Sequence, residues 1–220
     1  MAMGTSNKEW LEAYERTNPI RGEREMSLVM KDTGGGDFEL PSAGTHLARC
    51  YLMAELGHQK SVFQGKESIK NQVLIAWELN EKMADGRPFV ISRIYTASLN
   101  EKANLRADLE SWRSKGFTEA ELEGFDLKKI LGAPCQINVI HKESNGKTYA
   151  NVKALTSVPK GVNVPELENE AVAYEIHNEA AFTKLPEWMQ KKIMERVDPP
   201  ESENPAPAEF QDDDIDRIPF

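Results

Sequence analysis

Tyrosines with a basic residue two or four positions away occur in three separate stretches of the chain. Residues at this spacing share a face when the backbone is a β-strand. A fourth stretch combines one phenylalanine with three lysines. Aromatic rings stack on nucleobases and cations contact phosphates, so these residues suit a single-stranded nucleic acid. The candidates for that contact are Arg49, Tyr51, Lys60, Phe63, Lys66, Lys70, Arg93, Tyr95, Tyr149 and Lys153.

Each candidate also has an ordinary interpretation. A tyrosine in a β-structure often belongs to the hydrophobic core, and a surface lysine often serves only solubility. A basic neighbour on the same face favours binding for Tyr51, Tyr95 and Tyr149. Trp77 stands among alternating aliphatic residues and Trp112 on the apolar face of a helix, so both are predicted to pack inside.

The chain offers no recognised catalytic or metal-binding pattern. Gly146-Lys147-Thr148 resembles the end of a phosphate-binding loop, but His141 stands where that motif needs glycine. No HExxH or GxSxG motif occurs, and the histidines have no ligand spacing with each other or with the cysteines. We therefore expect a protein that is not an enzyme, binds no metal or cofactor and has no small-molecule substrate.

Cysteine usage and hydropathy indicate in which cellular compartment the protein is expected. Cys50 and Cys135 lie far apart in the sequence and are predicted to be buried thiols, which suits a reducing cytoplasm. No apolar run approaches the roughly 20 residues of a membrane span, and no secretory signal is recognisable. A cytoplasmic location without a membrane partner is therefore expected.

Two periodicities divide the chain. Alternating apolar residues predict five strands, at residues 47–57, 71–79, 89–98, 135–141 and 147–155. Helical spacing predicts a helix over residues 100–113, a short helix from Thr118 with Glu121 completing a capping box, and a helical turn at 127–131. Residues 58–70 are predicted to be a polar loop, and Asn145-Gly146 to be a hairpin turn.

Alternation also predicts which strand residues face inward. The inner face of the first strand is predicted to hold Ala48, Cys50, Leu52, Ala54 and Leu56, and that of the fifth Ala150, Val152 and Ala154.

Three strands, a helical insert and a two-stranded hairpin are the element order of the OB-fold. This five-stranded Greek-key barrel binds oligonucleotides on its strands 2–3 face and through its first and last hairpin loops. The predicted fold class is therefore mainly β: an OB-fold β-barrel with a helical insert, a C-terminal helix and a disordered acidic tail. A plain β-sandwich is the alternative, although it needs about seven strands.

The charge of the chain is unevenly distributed. The net charge is −9, but residues 198–220 hold eight acidic residues and one basic residue, which leaves −2 for residues 1–197. Residues 41–158 carry 16 Lys and Arg against 13 Asp and Glu. A phosphate backbone responds to the local potential. The predicted regions are a polar extension at 1–25, an OB-fold domain at 26–160, a helical extension at 161–197 and an acidic tail at 198–220.

The last nine residues, Asp-Asp-Asp-Ile-Asp-Arg-Ile-Pro-Phe, resemble the Asp-Asp-Asp-Ile-Pro-Phe tip of bacterial single-stranded DNA-binding proteins. The stretches GTHLARCYLMAELG, VLIAWEL, SRIYTASLNEKANLRADLESWR and KTYANVKAL resemble phage-type single-stranded DNA-binding proteins with an OB-fold. The inserted Asp216-Arg217 departs from the bacterial tip and leaves the identity of its partner open. The resemblance covers residues 26–159 and the tip.

The resemblance implies a protein that coats and protects single-stranded DNA during replication, recombination or repair. It also implies recruitment of partner proteins through the tip. A terminal phenylalanine with a free carboxylate can fill an apolar pocket ringed by Arg or Lys, while the acidic run steers the encounter. The partner-binding candidates are Asp212, Asp213, Asp214, Ile215, Ile218, Pro219 and Phe220.

A protein-binding adaptor or inhibitor is the alternative. In that interpretation the barrel grips a protein rather than DNA, and retained partner binding without DNA binding would favour it.

Overall fold

Nearly all of the strands form one antiparallel sheet. The computed structural model describes residues 39–63 and 66–197; predictions for residues 1–25 and 198–220, and for the side chains of Phe63 and Lys66, lie outside the described residues. The strands are β1 (Gly44–Phe63), β2 (Lys66–Lys82), β3 (Pro88–Thr96), β4 (Pro134–Ser144), β5 (Lys147–Thr156) and β6 (Val172–Tyr174). The helices are α1 (Asn104–Arg113), α2 (Glu119–Glu123), α3 (Glu179–Phe182) and α4 (Glu187–Met194), with a 3-10 helix at Leu127–Ile130.

The strand order in the sheet is β3-β2-β1-β4-β5, and the short β6 pairs in parallel with β1. This confirms the predicted mainly β class and the helical insert between the third and fourth strands. The hydrogen-bonded path ends at β3 and β5, so within the described residues the sheet is not closed into the predicted barrel.

The inner face of the sheet and helix α1 enclose the main core. The Trp77 and Trp112 rings lie 6.0 Å apart, and the Trp112 Nε1–H donates to the carbonyl of Pro134 at 2.8 Å. Leu105, Leu109 and Trp112 recur at helical spacing along α1 and are all buried. The predictions that both tryptophans pack inside are therefore confirmed.

Two predicted local signals have the expected structure. The Thr118 side chain and Glu121 form a reciprocal capping box at the start of α2. Asn145 and Gly146 have φ angles of 51° and 74°, which is the left-handed geometry that a tight hairpin turn between β4 and β5 requires.

Strand β1 changes face at a bulge. Its pairing with β2 shifts between Cys50 and Leu52, so Met53, rather than Leu52, joins Ala48 and Cys50 in the core cluster. The prediction that Leu52, Ala54 and Leu56 share the inner face is therefore wrong. An extra residue in one strand moves the side chains that follow it to the opposite face, here as far as the second shift in pairing between Glu55 and Gly57.

A second correction concerns residues 58–70, which were predicted to be a loop. Strands β1 and β2 remain paired as far as Phe63 and Lys66, whereas β3 pairs with β2 only as far as Gln72. We call residues 58–63 and 66–71 the arm. A two-stranded projection needs little apolar surface, so the arm is mostly polar. Its sequence therefore lacks the apolar alternation that predicts a strand.

Residues 161–197, which we call the C-terminal segment, pack against β1 and β2 on the outer face of the sheet. Val172 and Tyr174 of β6 lie beside Leu52 and Ala54 of β1. Further buried apolar residues come from both sides of this layer: Leu56, Leu74, Ala76, Ile94, Phe182, Leu185, Met189 and Ile193. The segment thus forms a second layer on what we call the covered face.

Polar contacts fix the C-terminal segment in place. The buried carboxylate of Glu78 accepts hydrogen bonds from the backbone N–H groups of Glu168 and Asn169 at 2.9 and 2.8 Å. Farther along, the Gln59 side chain donates to the carbonyl of Lys192 at 3.0 Å. A buried charged acceptor with two backbone donors stabilises this docking.

Candidate nucleic-acid interface

The outer face of β4, β5 and the first half of β1 differs from the covered face. Thr45 pairs with Asn138, Leu47 with Gln136, and Lys142 with Tyr149. Because Cys135, Ile137 and Val139 point into the core, the alternate residues point outward. We call this the open face; it holds Thr45, Leu47, Gln136, Asn138, Ile140, Lys142, Tyr149, Asn151 and Lys153, all of them exposed or half-buried.

Cations predominate on the β4–β5 hairpin. Residues 134–156 contain three lysines and a single acidic residue, Glu143. Lys147 and Lys153 are exposed and form no ion pair within the described residues. Elsewhere many basic side chains have a carboxylate partner, for example Lys128 with Glu175 at 2.8 Å. Lys147 and Lys153 are therefore available to contact phosphates.

Tyr149 lies among these cations. It is half-buried, faces outward and lies directly across the ladder from Lys142, with two residue pairs between it and the turn. A ring with one exposed surface and nearby ammonium groups suits base stacking together with phosphate contact. Of the predicted residues, the structure places Tyr149 and Lys153 on the same strand of the open face.

The face that Lys153 occupies depends on a bulge. The β4–β5 pairing shifts between Asn138 and Val139, so that Lys153 has no direct partner. As a result Leu155 is buried, whereas Ala154, predicted to face inward, is exposed. Val152 is buried and Ala150 packs against the core, as predicted.

Arg49 and Tyr51 are half-buried, and contacts within the protein engage Arg49. The Arg49 guanidinium donates to the carbonyls of Pro165, Val164 and Gly132 at 2.7 to 3.1 Å. Burial, with the nearby Glu78 carboxylate, raises the pKa of Tyr51 to about 12. The C-terminal segment holds the Arg49 side chain, and Tyr51 lies near Glu78 of β2, so we do not include them in the interface.

Arg93 and Tyr95 share a face, as predicted, but it is the core face. Tyr95 is buried, and its hydroxyl donates to Asp108 Oδ2 at 2.7 Å. Arg93 forms an ion pair with the same carboxylate at 3.0 Å and lies over the Tyr95 ring. Burial raises the pKa of Asp108. The predicted binding role is therefore replaced by a core role, in which the pair orients α1 against β3.

The lysines of the arm lie apart from the open face. The arm continues from the C-terminal end of β1, whereas the β4–β5 turn lies beyond its N-terminal end. Lys60 forms an ion pair with Glu67 at 2.8 Å, and Lys70 is half-buried on the other side of the arm. Phe63 and Lys66 stay predictions, because their side chains lie outside the described residues.

Sequence reasoning missed Lys142 and Lys147. Both flank the Asn145-Gly146 turn, and a hairpin with a lysine on each side of its turn was the signal available. The side-chain amides of Gln136, Asn138 and Asn151 were also missed. Their shared position on the open face follows from the pairing register of β1, β4 and β5.

Metal and thiol chemistry add nothing to this interface. Within residues 39–63 and 66–197, no group of three or more His, Cys, Asp or Glu side chains is placed to hold a metal ion. Cys50 and Cys135 are buried thiols, as predicted, and burial raises the pKa of Cys50 to about 12. Among the helices of the described residues, none has the length and apolarity to cross a membrane.

A scan against models of known protein families found no match, and a search of curated proteins found no match either. The roles of the open-face residues are therefore argued from their geometry and charge.

Proposed function

We propose that this protein binds single-stranded DNA with little sequence preference, through the open face, and that it coats and protects the strand. The observation that carries the proposal is the combination of Tyr149 with the unpaired Lys147 and Lys153 on one hairpin. We propose the role of a binding protein and not of an enzyme. The proposed location is the cytoplasm.

The fold supports this proposal. A sheet ordered β3-β2-β1-β4-β5 with helices between β3 and β4 fits an OB-type, partly open barrel. OB-folds bind strands on their strands 2–3 face and at their hairpin loops. Because the C-terminal segment packs against β1 and β2 here, binding shifts to the β4–β5 hairpin.

The chemistry accounts for affinity without sequence preference. Stacking on one aromatic ring contributes roughly 1–3 kcal/mol per base and tolerates any base. Each neutralised phosphate adds about 0.7 to the slope of log affinity against log salt on a single strand. The outward amides can donate to phosphates or base edges as the strand passes.

The acidic tail has a separate role in the proposal. Its tip, with Asp212, Ile218 and Phe220 among its residues, recruits proteins of replication, recombination or repair. This part rests on the resemblance to bacterial tips and on the chemistry of a carboxyl-terminal phenylalanine.

The test is fluorescence-anisotropy titration of labelled oligo-dT at two salt concentrations. We compare the unchanged chain with the variant Lys147→Glu/Lys153→Glu. The matched control is Lys102→Glu/Lys191→Glu, which changes the net charge equally through exposed lysines on other parts of the chain. We expect the hairpin variant to lose at least roughly tenfold in affinity, and its salt slope to fall by about 1.4; the control changes little.

Equal losses in both variants would show that only net charge matters, and would remove the open face from the proposal. No binding by the unchanged chain would favour the alternative adaptor function, in which the sheet grips a protein.

A further inference from the structure

The arm presents one exposed face with an unusual composition. Lys60 pairs with Ile69, and Val62 with Glu67, in the β1–β2 ladder. Val62 is 63% exposed and Ile69 is 42% exposed. The opposite side of the arm is more buried, and there the Ser61 and Ser68 hydroxyls lie 2.8 Å apart. We call Lys60, Val62, Glu67 and Ile69 the arm face.

The four side chains form a checkerboard. In the antiparallel ladder, Val62 and Ile69 occupy one diagonal and Lys60 and Glu67 the other. The two charged groups form an ion pair at 2.8 Å. Two large aliphatic side chains held open on a projecting hairpin favour a partner that covers them.

This pattern is self-complementary. A two-fold axis along the Val62–Ile69 diagonal places Val62 on Val62, Ile69 on Ile69, and Lys60 on Glu67 of a second copy. Such an isologous contact satisfies both the apolar and the charged positions. We propose that the arm face meets the same face of a neighbouring copy of this chain bound to the same DNA strand; this inference rests on the proposed function.

The small area of the arm face explains why the DNA is needed. Stable interfaces bury about 800 Å² per partner, which four side chains on a hairpin do not approach. Two copies held side by side on one strand meet at a high effective concentration, so a weak contact becomes effective there. The result is a preference for adjacent sites.

The first experiment compares full chains on oligo-dT of two lengths, one that holds a single copy and one that holds several. For the unchanged chain we expect roughly tenfold tighter binding per site on the longer strand, since a tenfold preference needs only about 1.4 kcal/mol. Val62→Thr/Ile69→Thr keeps β-branched side chains and removes apolar surface. We expect it to match the unchanged chain on the short strand and to lose the preference for the long one.

The matched control is Val90→Thr/Val162→Thr, at two valines that are 40% and 43% exposed away from the arm. It should keep the roughly tenfold preference. Loss of affinity on the short strand in the arm variant would mean that the arm face contacts DNA itself, which overturns the inference. Equal length dependence in all three chains would also overturn it.

A mixing experiment tests the geometry. Lys60→Glu alone places two carboxylates together across the axis, and Glu67→Lys alone places two ammonium groups together, so each should lose the preference for adjacent sites. An equimolar mixture of the two variants pairs opposite charges in both positions, although the ion pair within each chain stays broken. Recovery of the long-strand preference in the mixture is expected.

A mixture that merely averages the two single variants would overturn the two-fold contact. Failure of the proposed function has a different signature, because the unchanged chain would then bind neither the short strand nor the long one.

Discussion

At the scale of single residues, the neighbours of each charge determine what it can do. Arg93, Tyr95 and Asp108 satisfy one another inside the molecule, whereas Lys147 and Lys153 on the hairpin have no carboxylate partner within the described residues. Both groups looked alike as aromatic and basic neighbours in the sequence. Burial separates a structural cluster from one that is free to bind.

The core role of Tyr95 leads to a prediction about stability. Tyr95→Phe removes the hydroxyl that donates to Asp108, a half-buried carboxylate whose pKa burial already raises. We expect the free energy of unfolding to fall by about 1–2 kcal/mol, because a buried acceptor loses its donor. Chemical denaturation measures the change.

Tyr149→Phe is the matched control for this prediction. No hydrogen bond from its hydroxyl is shown within residues 39–63 and 66–197, so its stability should not change. If Tyr95→Phe is as stable as the unchanged chain, the hydroxyl is dispensable and Tyr95 does not anchor α1 as we infer.

At the scale of elements, alternation predicted the regular strands well and failed at the bulges. The inner residues of β4 and the core position of Trp77 follow from period two alone. The faces of β1 beyond Cys50 and of β5 beyond Lys153 do not, because a bulge is visible only in the pairing with another strand. The arm was missed for a related reason, since its residues lack apolar alternation.

The candidate site was predicted in part. Tyr149 and Lys153 were found because the β4–β5 hairpin is local in sequence and carries a clear turn signal. Arg49 lies outside the candidate interface because its partners come from residues more than a hundred positions later. No local pattern predicts that the C-terminal segment covers this face.

The C-terminal segment gives the element-scale prediction. Phe182 is fully buried and its ring lies 5.7 Å from that of Tyr174. Phe182→Ala should cost about 3–5 kcal/mol of unfolding free energy where the segment is well packed. Hydrogen exchange should rise first at β6, since the segment can detach before the main core opens.

Leu122→Ala, in the exposed helix α2, is the control, since its side chain is 37% exposed. It should leave exchange at β6 unchanged. A uniform rise in exchange across the whole sheet in Phe182→Ala would show instead that the segment and the sheet open as one cooperative unit.

At the scale of the whole molecule, the separation of charge is the dominant feature. Residues 198–220 carry −7 of the net −9, while Lys147 and Lys153 on the β4–β5 hairpin form no ion pair within the part of the chain that the structure describes. These opposite charges attract one another over a distance set by the salt concentration. We expect a tail of this charge to compete with a phosphate backbone for the same lysines.

We therefore predict that a chain ending at Val197 binds oligo-dT more tightly than the full chain, and that the gain shrinks as salt rises. The control is a chain that lacks only residues 218–220. It keeps every charged side chain of the tail, so its affinity for DNA should equal that of the full chain. Anisotropy titrations at two salt concentrations measure the affinities of all three chains.

Equal affinity of the Val197 truncation and the full chain at low salt would mean that the tail does not compete for the open face. In that case the tail does not control the access of DNA to the open face.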